Sequence, residues 1–296
     1  SHANTPYGRF LLASYLFFSL YYSKYCPNSW NETGVIVLKD EKGNYNKLEK
    51  IFRQINDSDF IAKADKDLLL SVGLDDLDKD ALYFPKTGWL KTQSAINELL
   101  KNDKIKLKEE EVIEIKNLNE DQKELISNKA KYLFDEICLC NSFNAKNLIQ
   151  LHGVNKKRGQ ITEVKKPKED INLPICGQGY ISPYSKNNLL IGSSYSNDES
   201  HLPSNQDDEE NLLKINQMLG LDLEKIKNHV SFRFTTKDHL PLLGYKEGLI
   251  LNLGHGSKGS VNSPLCAEII CDFIDGDPLP IDSTLYEALN PNRFNS

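Results

Sequence analysis

Several signatures that would fix the class of this chain at once are missing from it. Met218 is the single methionine in 296 residues, so Ser1 is not read as a natural start, and the chain is taken as a stretch of a longer protein. The N-terminal residues SHANTPYGRFLLASYLFFSLYYSKY hold no opening glycine loop of the dinucleotide-binding kind. The glycines at Gly177 and Gly179, in GQGYIS, do not replace one. They lack a third glycine and run into a strand-like stretch, whereas such a loop has to open a helix. The six cysteines, Cys26, Cys138, Cys140, Cys176, Cys266 and Cys271, show no C-x-x-C and no zinc-like spacing with the six histidines. This leaves reduced, mostly buried thiols in a cytoplasmic protein as the simplest expectation. The apolar run Phe10 to Tyr22 is too short to span a bilayer and is read as a core helix, so no membrane partner is expected. No internal repeat is visible. The net charge of -6 argues against a general nucleic-acid-binding protein.

The chain does have enough apolar material to fold: 39% of residues are hydrophobic and 26% charged, which suits one large domain or two interlocked ones. Helical patterns are predicted at about Tyr7 to Tyr25, Tyr45 to Ile55, Lys63 to Leu70, Lys91 to Lys101, Asp208 to Met218 and Ser263 to Ile274. Strand-like runs are predicted at Gly34 to Leu38, Lys104 to Leu107, Val112 to Ile115, Tyr132 to Leu139, Gly159 to Val164, Gly179 to Ser182 and Leu189 to Gly192. Short β runs between helices indicate an α/β (α+β) fold rather than a bundle. The polar segment Ser196 to Glu210 is predicted to be an exposed loop. Basic residues gather at Lys101, Lys104, Lys106 and Lys108, and at Lys156, Lys157, Arg158, Lys165, Lys166 and Lys168. Most are read as solvated faces.

Chemistry concentrates in the last 65 or so residues. Gly254, Gly256 and Gly259 crowd a turn between the apolar run Leu249-Ile250-Leu251 and an apolar helix. Glycine lets a ligand approach the backbone, and the helix start offers N–H groups to an electron-rich or anionic ligand. Spacing alone fits ordinary strand-to-helix punctuation equally well.

The order RFTTKDHLPLLG, GHGSKG, SPLCAEII, DGDPLP and ALNPNRF, preceded by YFPKTGWLKTQSAINELL, RGQITEV, GYISPY and IGSSY, resembles the C-terminal oxidoreductase domain of the MnmC family. That domain belongs to the D-amino-acid-oxidase-like (DAO) FAD enzymes. The resemblance covers nearly the whole chain, starting after the family's opening strand, G-x-G-x-x-G loop and helix. It implies a two-domain DAO-type oxidoreductase, with an incomplete Rossmann-like FAD domain over 1–30, 80–148 and 231–296. A mixed-sheet substrate domain would occupy 31–79 and 149–230.

The implied reaction is oxidation of the secondary amine in 5-carboxymethylaminomethyl-2-thiouridine at the tRNA wobble position. A hydride passes from the carboxymethyl carbon to flavin N5, and hydrolysis gives 5-aminomethyl-2-thiouridine and glyoxylate. FAD is the implied cofactor, and tRNA the partner. A SAM-dependent methyltransferase, fused or separate, is a further implied partner, and the compartment is the cytoplasm. Arg233 corresponds to an arginine that grips a substrate carboxylate in related oxidases, Tyr180 to a tyrosine of the same pocket, and Lys258 to a position where the family pattern has arginine. Gly254, His255, Gly256, Ser257, Lys258, Gly259 and Ser260 would face the flavin, with Gly159 and Gln160, and the loop around Thr87-Gly88-Trp89, as weaker candidates for flavin-side packing. For Tyr180 a plain core role is equally open, and for Thr87 a helix N-cap is the preferred reading. Asp238-His239 is set aside as an acid-base pair, because adjacent residues on one backbone rarely face each other. A glycine- or sarcosine-type free amine oxidase, and a flavin-free fragment without activity, remain as alternatives.

Overall fold

The computed structural model describes residues 5–39, 44–55, 58–74, 80–119, 121–168 and 170–294. The chain runs α1 (Pro6–Tyr25), β1 (Trp30–Asn31), β2 (Val35–Leu38), α2 (Asn44–Ile55), β3 (Ala62–Lys63), α3 (Lys66–Ser71), β4 (Ala81–Phe84), β5 (Trp89–Leu90) and α4 (Thr92–Leu99). Then come β6 (Val112–Asn117), β7 (Lys123–Ser127), β8 (Lys131–Phe134), β9 (Cys138–Leu139), β10 (Val154–Lys165), β11 (Ile175–Cys176), β12 (Tyr180–Pro183), β13 (Asn188–Gly192) and α5 (Asn205–Leu219). It ends with β14 (Lys225–Thr236), β15 (Leu242–Lys246), β16 (Leu249–Leu253), α6 (Gly259–Asp275) and α7 (Ser283–Leu289). The mixture bears out the α/β expectation.

Two compact units share these elements. The first comprises 1–21, 99–157 and 233–296, the second 22–98 and 158–232. By compactness, residues 22–30, 80–98 and 231–232 fall in the second unit and 149–157 in the first. All four crossings, at 21/22, 98/99, 157/158 and 232/233, lie inside regular elements: α1, α4, β10 and β14.

In the first unit, β16 sits between β15 and β9. It pairs antiparallel with β15 and parallel with β9. Both faces of β16 are buried, Leu249, Leu251 and Leu253 in one apolar cluster and Ile250 in another, which explains why LILNL reads as an almost unbroken apolar run rather than an alternation. A separate antiparallel meander orders β6, β7 and β8. Helix α6 buries Leu265, Cys266, Ile269 and Ile270 in a cluster with Phe10, Leu243, Ile250 and Leu285. Each such apolar side chain is worth about 1.5 to 3 kcal/mol on burial. Helix α1 starts at Pro6 after Thr5, whose hydroxyl accepts from Gly8 N at 3.1 Å, an N-cap followed by the residue best suited to a first turn. Its Phe10 and Phe18 are buried while Leu12, Leu16 and Leu20 are exposed, so it is a core helix on one side only. No described helix is long and apolar enough to cross a membrane.

The sheet that carries the second unit runs β14-β10-β13-β12-β11-β2-β4-β3. Its β11–β2 pair is parallel, and the β12–β11 and β2–β4 pairs on either side are antiparallel. Its core joins Ile36, Leu38, Val164, Ile175, Ile181, Leu189 and Ile191 to Ile215 and Met218 of α5.

Four expectations need correction. Lys104 to Leu107 is not a strand: Ile105 and Leu107 are exposed and the segment has no ladder. Tyr132 to Leu139 is two strands, β8 and β9, in different sheets. The polar loop after Ser196 ends at Ser204, which caps α5, and Asp207 and Asp208 belong to that helix's first turn, where acid complements the helix dipole. Only Cys26 and Cys266 are buried; Cys138, Cys140 and Cys271 are exposed.

Candidate functional site

The connection from β16 to α6 is built by three glycines at G-x-G-x-x-G spacing, after a strand and opening a helix. Gly254 has φ +78° and Gly256 φ +60°, a region costly to L side chains. A Cβ on Gly254 would lie 3.0 Å from Thr236 Cγ2, and one on Gly256 3.3 Å from Thr235 Cγ2. Glycine is thus required by both backbone angle and space. Gly259 is helical, with φ -54°, and its Cβ would be in ordinary contact. Among the described residues α7 follows α6 with no further strand, so this is not the βαβ unit of a dinucleotide fingerprint.

Lys258 stands at the N-cap of α6, no side chain caps that end, and its first turn carries no acid. The first N–H groups of a helix have no intrahelical acceptor, so this end can donate to an electron-rich group. Lys258 Nζ donates to Tyr7 Oη at 2.8 Å. His255, bridged to Thr235 on β14, has Nε2 2.9 Å from Asn252 Oδ1. Because that oxygen only accepts, Nε2 carries the proton and Nδ1 is left as an acceptor. Nδ1 is buried with no partner among the described residues. Burial pulls the imidazole down to about 4, against a smaller opposing effect of hydrogen bonding at Asn252, so the ring is neutral around pH 7. On the first turn of α6, Asn262 is 2% exposed and its Oδ1 has no partner among the described residues. Ser257 and Ser260 are exposed.

The contiguous candidates Gly254, His255, Gly256, Ser257, Lys258, Gly259 and Ser260 therefore form one feature of the first unit. Sequence reading missed Tyr7, Asn252 and Asn262. Nothing in the spacing marks Tyr7, which reaches Lys258 across 251 positions.

Arg233 lies on β14, half-buried, between Phe232 and Phe234. Phe234 packs edge-on against Phe143, 5.6 Å between centroids. Tyr180 begins β12 in the second unit and pairs with Gly192 of β13. A Cβ on Gly192 would come 3.2 Å from the Tyr180 hydroxyl, so the ring covers a strand glycine. Aromatic cover of a strand glycine is a structural use of tyrosine.

Gly159 is buried in β10 of the same unit, flanked by two anchors. Arg158, 2% exposed, donates Nε to Ser200 O at 2.9 Å and Nη2 to Leu202 O at 2.7 Å, and pairs with Asp207. This removes it from the solvated basic face expected of it. Gln160 donates Nε2 to Ser204 O at 2.7 Å and to Asp208 Oδ1 at 2.8 Å. The RGQ stretch thus holds the 196–204 loop and the start of α5. Thr87 does not cap a helix; its hydroxyl donates to Phe84 O at 2.6 Å and closes a turn. Also in the second unit, a cavity of about 340 Å³ is lined by Trp89, Lys91, Lys166, Lys186 and Leu189 among others; of the residues singled out from sequence it takes in Trp89 and Lys166, and none of the substrate or glycine-loop candidates.

The family described as FAD dependent oxidoreductase (DAO) matches residues 2–273. Relatives named tRNA 5-methylaminomethyl-2-thiouridine biosynthesis bifunctional protein MnmC include those of Idiomarina loihiensis and Chromobacterium violaceum, each 24% identical over 98% of this chain. The match takes in 50% and 51% of those proteins, so the chain spans about half the length of the curated relatives it matches. Among solved structures, glycine oxidase from Geobacillus kaustophilus superposes with TM-score 0.82 at 19% identity, over 98% of this chain and 84% of its own. L-proline dehydrogenase from P. horikoshii gives 0.79 at 16% identity, over 97% and 83%. At these identities the structures speak for the fold. The chain belongs to the FAD dependent oxidoreductase (DAO) family, and FAD is the cofactor that this membership assigns to it.

Proposed function

We propose that the chain is the oxidoreductase portion of an MnmC-type enzyme, which removes the carboxymethyl group from 5-carboxymethylaminomethyl-2-thiouridine at the tRNA wobble position. The observation that supports it is the match of 98% of the chain to relatives named for this biosynthesis. The conversion oxidises the carboxymethyl C–N bond by two electrons and hydrolyses it, leaving glyoxylate and the primary amine of 5-aminomethyl-2-thiouridine. Tied to this reading are tRNA as partner, a fused methyltransferase in the intact protein and a cytoplasmic setting.

The β16–α6 connection fits an electron-rich ring edge: two glycines that admit no side chain, an uncapped helix start and a neutral His255. Gly254 to Ser260 would hold that edge of FAD, which supplies a two-electron acceptor when bound. The remaining work falls to the chain's own side chains. The Arg233 guanidinium binds the substrate carboxylate as a planar fork. Lys258, oriented by Tyr7, contributes a fixed positive charge at the start of α6, without the fork an arginine would give. Tyr180 is retained as a hydroxyl donor to substrate, and Gly159 as a packing position for the cofactor side.

The test supplies the FAD-loaded chain with tRNA carrying the carboxymethylaminomethyl nucleoside and, in parallel, with glycine and with sarcosine. Glyoxylate release and nucleoside mass are followed together. Conversion of the tRNA nucleoside alone supports the proposal. Turnover of the free amino acids with untouched tRNA would replace it by a free amine oxidase.

A further inference from the structure

We propose that Cys138 and Cys140 are a dithiol pair oxidised by hydroperoxides to an intramolecular Cys138–Cys140 disulfide. The two sulfurs lie 3.6 Å apart and both residues are exposed. Residues i and i+2 of an extended chain share a face, and here the strand is minimal: β9 is Cys138–Leu139 only, and it is an edge strand of its sheet. Cys140 stands beyond its end, outside the ladder to β16 that pairs Cys138 with Ile250 and Leu139 with Leu251. A disulfide needs its sulfurs at about 2.05 Å, so the pair must close by roughly 1.5 Å. Cys140 is free of the ladder and so able to supply that adjustment.

The thiols are already differentiated. Either sulfur can donate the hydrogen bond between them; with the proton on Cys138 it favours the Cys140 thiolate and holds Cys140 below its ordinary value, against an opposing effect of burial. Cys138 is pushed up by that same hydrogen bond and then by burial. Cys140, outside the ladder that holds Cys138 and favoured as thiolate, is assigned as the nucleophile and Cys138 as the resolving thiol. In the first step the Cys140 thiolate attacks a peroxide oxygen. The S–O bond forms, the O–O bond breaks, and hydroxide leaves, or alkoxide from an organic peroxide. In the second, Cys138 sulfur attacks the Cys140 sulfenic acid. The S–S bond forms, the S–O bond breaks, and the departing hydroxide takes the Cys138 proton as water. Two thiols lose two electrons, and the peroxide is reduced by two.

The other thiols are set apart from this chemistry. Cys26 and Cys266 are buried, and burial pushes Cys176 up to about 11. Cys271 is exposed and close enough to Cys138 to raise it electrostatically, but it is itself pushed up by burial and then by Glu268, Asp275 and Asp272, which makes it the competing thiol against which the pair is compared. The proposal does not depend on the reaction assigned above, because its readout is the cysteines themselves.

The reduced chain is treated with one equivalent of hydrogen peroxide at neutral pH, quenched with a maleimide and mapped by mass spectrometry. The expected result is a peptide in which Cys138 and Cys140 are linked and unlabelled, formed at least tenfold faster than Cys271 is lost. Cys138→Ser should stop at a Cys140 sulfenic acid that dimedone captures, and Cys140→Ser should leave Cys138 labelled over the same interval. Equal labelling of Cys138, Cys140 and Cys271 after peroxide would overturn the proposal, as would a Cys138–Cys271 link or oxidation of Cys138 in the Cys140→Ser variant at the unsubstituted rate.

Discussion

The guanidinium of Arg293 closes on both carboxylate oxygens of Asp238, Nε to Oδ2 at 2.7 Å and Nη2 to Oδ1 at 2.9 Å. The same side chain donates to the carbonyls of Leu240, Pro241, Leu289 and Asn290. Two segments that look unrelated in sequence, TTKDHLPLLG and the terminal ALNPNRF, are thereby one clamp. Asp238 is spent on holding the turn that leads into β15.

Replacing Arg293 by alanine should lower stability by about 2 to 3 kcal/mol, chiefly through the carbonyls left without their charged donor. Asp238 is 36% exposed, so its ion pair is screened and adds less. Lysine at 293 should recover little, because one ammonium cannot span the fork and four carbonyls. Urea unfolding of the two variants checks this; equal stability of wild type and Arg293→Ala would remove the clamp from the account.

Asp208 is 2% exposed and accepts from Gln160 and Thr162 at 2.8 and 2.7 Å, and from Lys225 and Asn228 at 2.8 and 2.6 Å. Burial alone would raise its pKa. The hydrogen bonds, led by Lys225 and Thr162, outweigh it and hold the carboxyl below its ordinary value. Asp208→Ala should cost about 2 to 4 kcal/mol, chiefly by leaving the buried Gln160 and Thr162 donors without an acceptor; Lys225 is 35% exposed, so its lost ion pair is screened and adds less. With the folded value below the unfolded one, the contribution is present above the ordinary aspartate range and is lost as pH falls through the folded value. Acid unfolding should therefore begin at higher pH in any variant that removes Lys225.

Gly254→Ala places a side chain at φ +78° and 3.0 Å from Thr236 Cγ2. A loss of about 1 to 3 kcal/mol is expected, together with weaker retention of FAD. Gly259→Ala, at a helical angle with only ordinary contact, should leave stability within about 0.5 kcal/mol. The pair is read by thermal unfolding and flavin absorbance; equal behaviour of the two would contradict the geometry.

His255 is held at about 4 against an ordinary 6.5. The stability linked to its neutral form is complete above pH 6.5 and declines as pH falls toward 4, because the unfolded chain takes the proton first. His255→Gln should flatten the stability profile over that interval. Proton NMR of the imidazole should show no titration between pH 6 and 8, and a midpoint near 6.5 would refute the assignment.

If Arg233 binds the substrate carboxylate, Arg233→Ala should raise KM by about 30- to 1000-fold, the equivalent of roughly 2 to 4 kcal/mol. The kcat at saturation should change much less. Steady-state kinetics on the modified tRNA decides, and an unchanged KM would take Arg233 out of the site.

Local pattern made α1, α5, α6 and the β16 glycine turn legible, because each joins a clear apolar period to a cap or a breaker. It failed where partners decide. KIKLK at Lys104–Lys108 alternates as a strand should, yet it has nothing to pair with. KELIS at Lys123–Ser127 looks too charged for a strand but is the middle of the β6-β7-β8 meander. The acidic run Asp207–Glu210 reads as loop by its charge, yet it opens α5 behind the cap at Ser204. In the candidate site the glycines were readable from spacing. Tyr7 beside Lys258 and Asp208 beneath Gln160 were not, since those contacts join residues 251 and 48 positions apart.

The four crossings inside α1, α4, β10 and β14 bear on how this protein can be taken apart. A truncation from either terminus that reaches into 22–232 strips residues from both compact units at once. Limited proteolysis finds no linker at a crossing, only hydrogen-bonded helix or strand. Gene dissection would yield fragments with open sheet edges, which are prone to aggregate. Exchange of segments with relatives has its safest seam within a unit, in the exposed segment around 102–107.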